Sequence, residues 1–132
     1  MPRILAMLAV CGGMLFTTVP MAAHHSFEAE YDRSQKVTLK GTVTKIEWQN
    51  PHVYYYVDVP DANGAVVNWA IEVGAPNGLY RAGWRKDSLK IGDKVTVEAF
   101  RAKAGGPHAN GNSVILANGK RVFNGTADPT AN

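Results

Sequence analysis

The sequence predicts an all-β domain with one short helix: a small five-stranded OB-like Greek-key barrel behind a cleaved signal peptide. Three observations carry this. Apolar and polar residues alternate at period two in several short runs between residues 37 and 123. The first run is long and changes phase midway. A proline-led helical stretch separates the third run from the fourth, which is the element order of an OB-fold. An eight-stranded up-and-down barrel needs more strands than the chain supplies, and a β-sandwich is the remaining alternative.

Taken in order, residues 1–23 read as the signal. Arg3 is the positive head, Ile4 to Val19 carry no charge, and Met21-Ala22-Ala23 make a small-residue exit. The apolar run sits near the lower limit for a bilayer span and lacks a basic flank after it. Val10 is too large to precede a lipidated Cys11. Residues 24–36 are polar and aperiodic, an extended arm on which Phe27 and Tyr31 dock against the barrel. Val37, Leu39 and Val43 then share one parity, whereas Ile46 and Trp48 share the other. A bulge near Thr44–Lys45 or a kink at Gly41 accounts for the slip.

Asn50-Pro51 interrupts the pattern. In residues 52–59 the aliphatic parity contains Val53, Tyr55, Val57 and Val59, and the outward parity contains His52, Tyr54, Tyr56 and Asp58. Residues 60–64 form a turn, and residues 65–73 a third strand with Val67, Trp69, Ile71 and Val73 in phase. Pro76 suits the first turn of a helix ending before Gly83. Residues 94–101 form the fourth strand. Residues 104–111 are a glycine-rich loop containing His108. Asn118-Gly119 joins the last hairpin, between 114–117 and 120–123. The domain thus covers 37–123, with a disordered tail at 124–132.

Removal of the signal takes away the only cysteine, Cys11. The mature chain from residue 24 is one domain, large enough to bury a core without disulfides. Its expected location is the periplasm, with no membrane span in the mature form. The formal charge is +3 for the whole chain, one less without Arg3. The cations are scattered, densest at Arg81/Arg85/Lys86 and Lys120/Arg121. Without a long basic stripe, nucleic acid is excluded as a partner at this level.

His24-His25-Ser26-Phe27, Tyr31-Asp32, Gly41-Thr42-Val43, Trp48 and Asn50-Pro51-His52 form a recognisable series with Asn68-Trp69, Gly74-Ala75-Pro76-Asn77, Gly83-Trp84, Leu89-Lys90 and Gly92-Asp93. Together they resemble a family of small exported bacterial proteins known only as a domain of unknown function. The resemblance implies export and an OB-like barrel. It supplies no activity and no functional residue.

The chemistry must therefore come from the residues. His24, His25, His52 and His108 are the candidate metal ligands, although none lies in a standard zinc motif. Cleavage after Ala23 gives His24 a free amine beside its own imidazole. With an imidazole from His52 or His108, that makes a three-nitrogen site for Cu(II), a histidine brace. Cleavage after Ala22 gives Ala-His-His, in which His25 completes a square-planar chelate. Cu(II) favours nitrogen donors in tetragonal geometry, and a terminal amine loses its proton near neutral pH at little cost. Glu28, Glu30 or Asp32 is placed to support such a site.

Trp48, Tyr54 and Tyr56 are the candidate binding face for a sugar, an aromatic ligand or a protein partner, the alternative to the metal reading. The bland account of these residues is a frayed terminus, a capping His52, a solvated His108 and aromatics covered by the arm. No catalytic residue is assigned. Ser26 beside two histidines is not an oriented triad, and Glu47, Asp58 and Glu72 are carboxylates of the sort that any strand pairing brings together. A small copper-dependent oxidase is the weakest reading. The sequence therefore reads as a binding module rather than an enzyme, its ligand being a metal ion, a small molecule or a protein.

Overall fold

The computed structural model describes residues 27–123. Residues 1–23, where a signal is expected, together with His24, His25, Ser26 and the residues from Asn124 on, lie outside the described residues. The elements are α1 (Phe27–Glu30), β1 (Tyr31–Glu47), β2 (Tyr54–Pro60), β3 (Val66–Glu72), α2 (Pro76–Arg81), β4 (Lys94–Ala102), β5 (His108–Leu116) and β6 (Arg121–Val122).

The sheet runs β3-β2-β1-β4-β5-β6, and a further pairing joins β3 to β5. That pairing is parallel and short, matching Ala70–Glu72 with His108–Asn110. It closes five strands into a barrel-like ring, and the two-residue β6 pairs outside it with β5. Among the described residues the strands number six rather than five, because the hairpin at Asn118-Gly119 leaves Arg121–Val122 enough chain to pair.

The long β1 does the bending. Its first half pairs with β4 and its second half with β2. The register to β2 shifts between Val43 and Lys45, at the expected bulge. Gly41 sits where β2 crosses closely: a Cβ there would lie 2.0 Å from the Asp58 carbonyl oxygen. Only a glycine lets the backbones approach that far.

α2 starts with Pro76 in its first turn and buries Leu79. Gly83, at φ 94°, then takes a left-handed conformation that stops it. The core gathers Val43, Val53, Tyr55, Val57, Ile71, Val97 and Val114 with their neighbours, and Trp69 and Trp84 pack against its margin.

Two boundaries differ from expectation. The segment 27–36 is not an extended arm: residues 27–30 make a helical turn and β1 begins at Tyr31. Phe27 and Tyr31 do dock, forming a small separate cluster with Ala102 and Phe100. This apolar contact, together with the Lys103 N–H donating to the Glu30 carbonyl, holds the turn against β4. His108 is not in a loop: it is the first residue of β5. Closure onto β3 recruits residues 108–111 into the sheet, which glycine content alone does not disclose.

Candidate functional site

The barrel closes where β3 meets β5, and a polar cluster sits over that seam. Its centre is Glu72, the last residue of β3, only 6% exposed. It stands opposite Tyr54 across β2 and opposite Asn110 across β5. Burying a carboxylate is costly unless its oxygens are satisfied, and here both are. His52 Nδ1 lies 2.5 Å from Oε1. The Tyr31 hydroxyl donates to Oε2.

His108 enters through Tyr31. Its Nε2 is 2.9 Å from the Tyr31 hydroxyl oxygen and 3.9 Å from Glu72 Oε2. Its ring meets Tyr31 edge-on at 5.4 Å and leans on Tyr54 at 6.2 Å. Four segments of the chain therefore contribute: the start of β1, residues 52–54 at the entry to β2, the end of β3 and the start of β5.

The electrostatics follow from burial beside a carboxylate. Tyr31 is held well above the ordinary tyrosine range, first by desolvation and then by its hydrogen bond to Glu72 and the charge there. Tyr54 is raised by desolvation, then by the charge of Glu72 and a hydrogen bond to it. Both phenols stay protonated and act as donors. Among the described residues, no group of three or more His, Cys, Asp or Glu side chains is arranged to hold a metal ion. The described part alone offers two imidazoles and a buried carboxylate.

Of the sequence-designated residues, His52 and His108 come together on Glu72 and Tyr31. His24 and His25 lie outside the described residues. Tyr54 belongs to the same cluster rather than to an open face. Tyr56 lies one pleat further along, donating to Glu47 Oε2 at 2.9 Å, with the Lys45 ammonium 5.1 Å over its ring. Trp48 is elsewhere: it packs on the core margin, 6.4 Å from the Phe123 ring.

The candidate supporting acids are also engaged. Asp32 accepts from the Ser34 N–H and hydroxyl and from Gln35, bonds that lower its pKa, those from Ser34 foremost. Glu28 pairs with Arg33 at 2.6 Å. The acid that matters at the cluster is Glu72, which sequence reasoning noted only as a strand carboxylate. A signal was present: Glu72 interrupts the apolar pair Ile71 and Val73 at the end of a strand. Tyr31 was expected to dock but not to donate.

A family model described as a family of unknown function (DUF6152) matches residues 13–112. No curated protein matches the chain. A solved structure titled as the mitochondrial single-stranded DNA binding protein Rim1 of S. cerevisiae is similar at 16% identity and a TM-score of 0.49, covering 63% of this chain and 93% of that one. The exclusion of nucleic acid is corrected, for a physical reason. Proteins that bind single strands combine local cations with stacking aromatics, so the lack of a basic stripe does not exclude such a partner. No helix among the described residues is long and apolar enough to cross a membrane.

Proposed function

The chain belongs to the DUF6152 family, whose function is unknown, and from that premise we propose that it is an exported, periplasmic OB-like module that binds Cu(II) at its processed N-terminus. The amine and imidazole of His24 supply two nitrogens, and an imidazole from the barrel supplies a third. If cleavage leaves Ala-His-His, His25 supplies its imidazole with the amine and two amide nitrogens. The reading is one of binding, not catalysis.

One observation carries it. His52 and His108, distant in sequence, meet around one carboxylate: His52 lies against Glu72, and His108 lies against Tyr31, the residue that anchors the arm and donates to Glu72. Phe27, 5.5 Å from the Tyr31 ring, fixes the arm there. In sequence His24 and His25 precede Phe27 by three and two residues, lengths of chain that span at most about 11 Å and about 7 Å. The alternative aromatic face is less well supported, because Trp48 is separated from Tyr54 and Tyr56, and Tyr54 is drawn into the Glu72 cluster.

The test is Cu(II) affinity by competition titration on natively exported, untagged protein, with the intact mass recorded on the same sample. The expected result is one equivalent bound far more tightly than by a free dipeptide terminus, and lost when the amine is blocked. Weak or super-stoichiometric binding overturns the proposal. The mass identifies which chelate forms.

A further inference from the structure

We propose that His52, and not His108, is the barrel's copper ligand, and that Glu72 is its positioning residue. This rests on the copper reading above, but its first step concerns the metal-free protein.

The argument is a count of protons. Tyr31 has one hydroxyl proton, and it goes to Glu72 Oε2. The 2.9 Å contact between the Tyr31 oxygen and His108 Nε2 must then be donated by the ring, so neutral His108 carries its proton on Nε2. Glu72 Oε1, an acceptor, faces His52 Nδ1 at 2.5 Å, so neutral His52 carries its proton on Nδ1. The carboxylate thus sets opposite tautomers in the two rings.

The consequences differ. The bare nitrogen of His52 is Nε2, at the tip of the ring. It has no hydrogen bond among the described residues; the side chain is 28% exposed against 38% for His108, so the two differ in which nitrogen is bare and not in exposure. The bare nitrogen of His108 is Nδ1, the one beside its own backbone in β5, on a ring flanked by Tyr31 and Tyr54. A carboxylate that accepts from one ring nitrogen while the other binds metal is the arrangement that orients metal-ligating histidines and raises their basicity. His52 has the carboxylate directly. His108 reaches it through a phenol and acts with Tyr31 as a brace on Glu72.

The experiment has two parts. In metal-free protein, two-bond ¹H–¹⁵N correlation spectra read each imidazole tautomer. The expected pattern is Nδ1–H for His52 and Nε2–H for His108, with the His52 preference lost in Glu72→Gln. The opposite tautomer at His52 overturns the inference whatever copper does, and the wild-type spectrum alone decides this if Glu72→Gln fails to fold. With one equivalent of Cu(II), pulsed EPR counts the coordinated imidazoles. His52→Ala removes one, His108→Ala removes none, and Glu72→Gln weakens affinity by about tenfold to a hundredfold. An unchanged count in His52→Ala overturns the assignment while leaving the terminal chelate intact. Loss of all copper binding on wild-type protein instead overturns the proposed function, and His52 as a ligand with it.

Discussion

Tyr31 is the residue on which most of the cluster turns. Its hydroxyl satisfies one oxygen of a buried carboxylate and receives His108, while its ring joins Phe27, Phe100 and Ala102 in the small apolar cluster. Tyr31→Phe keeps the packing and removes the donor. Leaving a buried acceptor unsatisfied costs about 1–3 kcal/mol, so urea denaturation should show a loss of that size with an unchanged m-value. A fall in stability below about 0.5 kcal/mol would mean that water replaces the phenol at no cost. The sequence offered Tyr31 as an apolar anchor. Its polar duty depends on a carboxylate 41 positions further on, beyond anything local spacing reports.

At the scale of elements, the crossing of β1 over β2 is the tightest constraint. A methyl group at Gly41 would meet the Asp58 carbonyl oxygen and the Val57 side chain, and a backbone oxygen cannot rotate away as a side chain does. Gly41→Ala should therefore destabilise by about 3 kcal/mol, visible as a lowered thermal midpoint. Gly64→Ala is the informative contrast. There, nothing stands within 4 Å but φ is +82°, so its cost is backbone strain in a turn of about 1 kcal/mol. If the two variants melt together, the crossing is looser than the geometry requires.

The elements were also the most legible part of the chain. Alternation located β2 to β4, the parity change located the bulge after Val43, and Pro76 with Gly83 bracketed α2. The early part of β5 was not legible. Residues 108–111 are rich in small residues and look like a loop, because their strand character comes from pairing with β3 and β4.

For the whole molecule, pH offers a test of how the buried phenols are arranged. Tyr31, Tyr54 and Tyr55 are all pushed above the ordinary tyrosine range, burial being the largest cause in each. The unfolded chain releases these protons near pH 10, whereas the folded protein retains them to higher pH. Above about pH 10 the unfolded state thus binds fewer protons, and stability falls as pH rises. Thermal midpoints should hold steady below that point and drop beyond it, less steeply in Tyr31→Phe and Tyr55→Phe than in wild type. Equal slopes in all three proteins would show that other groups govern the alkaline limit.

Local sequence by itself determined the alternation of faces, the bulged first strand, the helix between β3 and β4 and the final hairpin, because each depends on residues within a few positions of one another. It also singled out His52 and His108 as chemically distinctive. Only the tertiary structure decided that they meet. The short parallel pairing of β3 with β5 carries His108 to the end of β3, where Glu72 lies, and the docked arm brings Tyr31 over the same carboxylate. A buried charge needs partners from wherever the fold can supply them, and those partners come from segments whose closeness no local pattern encodes.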